Sequence, residues 1–141
     1  MMPERSTTAV HATAVLLGCL LAVWWSRSLP WTPSRIFGAA LMLPAVALWL
    51  LARVQLGRSF AVRAQAKELV THGLYSKIRN PVYVFGSIFI AAMCLFLGKP
   101  AGLLLLLVLI PIQIVRARKE SKVLEAKFGD AYREYRRKTW V

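Results

Sequence analysis

A chain of 141 residues that is 57% hydrophobic, with a mean hydropathy of +0.53, carries more apolar surface than one small water-soluble core can hide. Nineteen Lys and Arg against six Asp and Glu give a net charge of +13. These cations flank apolar runs, where they set topology and meet anionic lipid head groups, so the charge does not call for nucleic acid.

The apolar residues fall into four blocks free of Lys, Arg, Asp and Glu: Ala9 to Trp25, Ile36 to Ala52, Val82 to Leu97 and Ala101 to Val115. About 20 residues cross a bilayer core. The last two blocks therefore borrow flanking residues such as Arg116, whose long side chain can snorkel. The expected architecture is an all-α, polytopic membrane bundle forming a single domain. Its four helices span about 9–25, 36–54, 81–97 and 101–116, with a loop at 55–80 and a helical tail at 117–141.

The first block is not read as a cleaved signal peptide. Arg5 is opposed by Glu4, and Trp24, Trp25 and Arg27 stand where a small-residue cleavage site belongs. Those tryptophans suit an interfacial belt. Pro30 and Pro33 around Trp31 and Thr32 then make a tight turn, and Pro44 is expected to kink the second span. The loop from Arg53 to Asn80 is long enough to be functional, with Leu69, Val70, Leu74, Tyr75 and Ile78 to dock it on the membrane face. Gly98, Lys99 and Pro100 alone join the third and fourth spans, which therefore form a hairpin. Beyond Val115 the helical pattern continues, with Glu120, Leu124 and Phe128 on one stripe. Gly129 suits a C-cap, and Asp130 can cap a short last helix holding Tyr132 and Tyr135. Cys19 and Cys94 lie inside spans without metal-ligand spacing and read as packing residues.

With a cytoplasmic N-terminus, sixteen basic residues lie inside: Arg5, six in the middle loop and nine from Arg116 onward. Only Arg27, Arg35 and Lys99 lie outside. That asymmetry predicts both termini on the cytoplasmic face of the plasma (inner) membrane and an even number of spans.

The absence of charged residues within the four apolar blocks argues against an ion-coupled transporter, which places an ionisable group in the membrane, although His11 and Gln113 leave that class open. Polar residues gather instead at the start of the third span and the exit of the fourth. The short hairpin turn puts Asn80 and Glu120 at one depth. Each has an ordinary alternative role. Asn80-Pro81 makes a standard helix start, Arg79 can be a topology charge, Tyr75 and Tyr83 interfacial anchors, and Arg116 and Glu120 an i,i+4 pair.

The stretch Gly73 to Gly86, GLYSKIRNPVYVFG, resembles the G-x-Y-x-x-x-R-[HN]-P-x-Y-x-x-G pattern of the isoprenylcysteine carboxyl methyltransferase and phospholipid methyltransferase superfamily. The tail Glu120 to Tyr135, ESKVLEAKFGDAYREY, resembles its E-E-x-x-L-x-x-x-F-G-x-x-Y-x-x-Y signature. Leu56 to Phe60 and the Leu69-Val70 pair also fit the approach to the first motif, so the likeness covers about the C-terminal 85 residues. Asn80 stands where the family often has His, Ser121 replaces the second Glu, and the first span has no motif.

The resemblance implies S-adenosylmethionine as methyl donor and a lipophilic, prenylated or membrane-associated acceptor. It implies that Arg79 and the amides near Asn80 hold the donor's carboxylate, and Glu120 its ammonium or ribose. Leu69, Val70, Tyr75, Ile78 and Tyr83 are then expected around its adenosine. No residue stands out as a general base. The competing class is a non-enzymatic membrane protein or transporter subunit with the same fold, separated from an enzyme by donor binding.

Overall fold

In the computed structural model, residues 5–56 and 69–140 are described. They form five α-helices: α1 (Arg5–Ser26), α2 (Pro33–Leu56), α3 (Pro81–Phe96), α4 (Leu104–Phe128) and α5 (Asp130–Lys138). One-turn 3₁₀ segments at Gly73–Ser76 and Pro100–Leu103 precede α3 and α4. The expected all-α bundle is what forms. The only extended pairing among the described residues is an isolated parallel bridge between Ile78 and Trp140.

Among the described residues, three helical stretches are long and apolar enough to cross a bilayer: Ala9–Ser26, Pro33–Leu56 and Pro100–Phe128. α3 is apolar but has only 16 residues. Leucines 16, 17, 20 and 21 of α1 and Leu104, Leu105, Leu107 and Val108 of α4 are exposed. Such continuous apolar faces belong in hydrocarbon, and the chain is an integral membrane protein.

Pro33 opens α2, where its missing N–H costs nothing. Thr32 caps that helix: its carbonyl accepts from the Arg35 and Ile36 amides at 3.0 Å. Its hydroxyl oxygen accepts from the Arg35 amide at 3.4 Å. α2 continues as helix through Pro44, and α4 through Pro111. The main interface is α2 against α3, around Met42, Ala92 and Phe96. Gly38 makes it possible, because a Cβ there would lie 2.5 Å from Phe96 N and 2.8 Å from Ala92 O. Small residues let membrane helices approach this closely. α1 and α4 pack far more lightly.

The α1–α2 turn end is closed by Arg35, which is 3% exposed. Its guanidinium donates to the Ser26 carbonyl and, at 2.8 Å, to that of Leu29. It also lies over the rings of Trp31 and Phe96 at 4.8 and 4.9 Å. At the hairpin turn Gly98 has φ +64°, a left-handed conformation that glycine adopts without strain.

Candidate functional site

The opposite end of the bundle gathers the two motifs. Gly73 starts the first with φ +60°, and a Cβ there would collide with the Gln55 amide at the end of α2. That amide's Oε1 accepts from the Leu74 N–H at 2.8 Å. Glycine is thus required twice, for its backbone and for the space beside Gln55.

Asn80 occupies the cap position of α3 with Pro81 first in the helix, as the sequence suggests. Its side chain, however, makes no capping hydrogen bond, while its carbonyl accepts from the Tyr83 and Val84 amides. The ordinary explanation of this asparagine accounts for its backbone but not for its amide group.

The two motifs meet through one short bond. The Tyr83 hydroxyl, in the first turn of α3, donates to Glu120 Oε1 of α4 at 2.6 Å. Arg116 lies with its guanidinium 5.9 Å from the Tyr83 ring centroid. The i,i+4 alternative for Arg116 and Glu120 is not what forms. Among the described residues, the ion pairs are Arg133 with Glu125, Arg133 with Asp130, and Lys138 with Glu134.

One turn deeper, the Ser87 hydroxyl shares its proton between the Tyr83 carbonyl and Gln113 Oε1, each at 2.9 Å. Tyr83 and Ser87 thus present a polar edge of α3 to Gln113, Arg116 and Glu120 of α4. On a different side of α3, Gly86, Phe89 and Met93 help line apolar cavities of about 480 and 210 Å³ between α1 and the α2–α3 pair.

The tail closes over the first motif. α4 ends at Gly129, whose φ of +53° reverses the chain. Asp130 is the first residue of α5 and pairs with Arg133, while Gly129 takes the cap position expected for Asp130. Tyr132 and Tyr135 are buried, and the Tyr135 hydroxyl donates to the Tyr75 carbonyl at 2.8 Å. The Trp140 amide donates to the Lys77 carbonyl at 2.7 Å, and the Arg79 amide to the Trp140 carbonyl at 2.9 Å. Burial, then the Tyr135 phenol beside it, pushes the Tyr75 hydroxyl well above the usual phenol range. Burial likewise raises Tyr135 to about 12, so both act as neutral groups.

Of the residues singled out from the sequence, Arg79, Asn80, Tyr83 and Glu120 come to one end, with Tyr75 and Ile78 beneath the tail. Tyr75 is only 5% exposed and lies within the packing. Leu69 and Val70 are half-buried in irregular chain. The approach segment from Gly57 to Phe60 lies outside the described residues. Gln55, Ser87 and Trp140 were not singled out, and Gln113 was noted only as a polar residue within the fourth span. The signal for pairing Ser87 with Gln113 was polar residues interrupting apolar runs at helical spacing from Tyr83 and Arg116.

The family described as phospholipid methyltransferase matches residues 33–131. A protein-S-isoprenylcysteine O-methyltransferase of Schizosaccharomyces pombe is 37% identical over 93 residues, covering 62% of this chain. The match takes in 39% of that protein, so the chain spans well under half of its relative's length. No solved structure matches.

Proposed function

Because the chain belongs to the phospholipid methyltransferase family, we propose that it transfers a methyl group from S-adenosylmethionine to a lipophilic acceptor at the cytoplasmic membrane surface. The observation that carries this reading is the 2.6 Å bond from Tyr83 to Glu120, which joins the two motifs at one end of the bundle.

The residues there suit the donor's charges. The Arg79 Nε is buried without a hydrogen-bond partner among the described residues, and the Asn80 side chain makes no capping bond. Both are beside the start of α3, where the positive end of the helix dipole favours a carboxylate. Glu120 offers the opposite charge for the donor's ammonium or ribose hydroxyls. Tyr83 keeps that carboxylate oriented. Ile78 and the Leu69-Val70 pair supply apolar surface for the adenine. When bound, the sulfonium supplies an activated methyl group, so the chain's task is alignment and exclusion of water.

The acceptor side is supported by the apolar cavities beside α3, whose wall reaches Gly86, three residues from Tyr83. A hydrocarbon chain held there lies against α1, α2 and α3, on another side of α3 from Tyr83. The acceptor class is a prenylated or lipid molecule, in keeping with the name of the S. pombe relative. Titration of the purified protein with S-adenosylmethionine, followed by transfer of its labelled methyl into a total lipid extract, tests the reading. Saturable binding and a labelled lipid product are expected; absence of binding overturns it.

In the membrane, we read residues 1–141 as one domain with four crossings and both termini cytoplasmic. α3 reaches across by recruiting flanking residues and local thinning. Reporter fusions after Lys99 and after Val141 are expected on opposite sides, and the same side for both refutes this topology.

Asn80 distinguishes ligand contact from capping. Asp, Ser and Asn cap comparably. Asn80→Asp is therefore expected to weaken donor binding far more than Asn80→Ser, since it sets like charge against the carboxylate. Equal affinities in calorimetry mean that Asn80 serves only the helix start.

A further inference from the structure

We propose that the end of the tail, from Arg136 to Trp140, docks on anionic lipid head groups and that this contact tightens the donor site. The coupling rests on the donor site proposed above; the docking does not.

Chain geometry sets the level of this segment. α4 carries the chain away from the bundle, Gly129 reverses it, and α5 brings it back. Trp140 pairs through its backbone with Lys77 and Arg79, immediately before α3 begins at Pro81. Trp140 therefore stands where α3 begins, at the membrane boundary of that crossing. Trp140 is 78% exposed. A large indole left open at that level suits the head-group region, where tryptophan is favoured.

The surrounding charge complements anionic lipid. Tyr132 and Tyr135 take the buried face of α5, which leaves Arg136, Arg137 and Lys138 exposed, and Lys77 is exposed beside them. Arg136 and Arg137 are in no ion pair among the described residues. A merely solvated basic face explains the charges but not the open indole among them.

The same segment holds the site. Two backbone bonds from Trp140 and the Tyr135 bond to the Tyr75 carbonyl fix residues 75–79, which lead into Asn80. A lipid surface that favours the docked tail thereby favours the ordered site, and the two binding events share a coupling free energy.

The test uses the full chain in nanodiscs of phosphatidylcholine alone or phosphatidylcholine mixed with phosphatidylglycerol. Donor affinity by calorimetry is expected to be about fivefold or more tighter in the anionic discs. High salt should shrink the difference, and R136Q/R137Q should remove it while keeping the parent's thermal stability. Brominated phosphatidylglycerol should quench parent fluorescence more than that of Trp140→Phe. Equal quenching overturns the docking whatever the donor does. Measurable but equal donor affinity in both discs overturns the coupling and leaves the proposed function standing. Absence of donor binding in either disc overturns that function and, with it, the coupling.

Discussion

Glu120→Gln is expected to weaken S-adenosylmethionine binding about 10- to 150-fold, the loss of one charge-assisted hydrogen bond worth roughly 1.5–3 kcal/mol. Size and helix propensity are retained, and Glu120 has no ion pair among the described residues to lose. A solvated pair on α4 would be worth only about 0.2–0.5 kcal/mol. Tyr83→Phe removes the partner that orients the carboxylate at 2.6 Å. If the two residues act together, the double variant should lose less affinity than the separate losses combined. Glu125 accepts from Arg133 at 2.9 Å and ties α4 to α5, which disqualifies it as a control. Glu134→Gln is the better control, since Glu134 meets only Lys138 on the open side of α5. Parent-like affinity in Glu120→Gln, measured by calorimetry, removes Glu120 from the site.

Gly38→Val is expected to destabilise the bundle by about 1–3 kcal/mol, the range for overpacking a tight interior. Its β-carbon alone would sit 2.5 Å from a backbone nitrogen of α3, which cannot yield as a flexible side chain can. Separating α2 from α3 there also disturbs Phe96, on which Trp31 packs edge-on with centroids 6.3 Å apart. Gly18→Val is the matched comparison, because a Cβ at Gly18 has nothing within 4 Å. Its cost should stay within about 0.5 kcal/mol. Unfolding in mixed detergent micelles measures both, and equal losses would mean that close α2–α3 approach is not what Gly38 provides.

The helices were legible because their signals are local. Apolar runs interrupted by Pro30, Pro33, Gly98 and Pro100 mark out the membrane helices, and Gly129 marks the end of α4. That the first turn of α3 lies beside the exit of α4 followed from the length of the hairpin turn, and the contact there is between Tyr83 and Glu120. What stayed hidden depends on which faces turn toward each other. Spacing alone offered Glu120 a partner on its own helix, Arg116, whereas the fold gives it Tyr83, 37 residues away. The return of Trp140 to Lys77 and Arg79 uses only backbone groups, which every residue possesses, so no side-chain pattern announces it. Arg35 read as a topology charge because its carbonyl partners, Ser26 and Leu29, are likewise backbone.

The hairpin of α3 and α4 has a mechanical consequence. Its two arms are joined at Gly98 and Lys99, contact each other sparingly, and meet again near the far end through Ser87 with Gln113 and Tyr83 with Glu120. This is the construction of a pair of tongs, with the pivot in the turn and the grip at the far end. Fifteen residues separate Tyr83 from Gly98. At about 1.5 Å per residue the arm is roughly 22 Å long, so a rotation of about 5° at the pivot moves the tip by about 2 Å. That displacement is enough to break the grip between phenol and carboxylate. Any change of angle at the left-handed turn of Gly98 would therefore act on the grip through leverage.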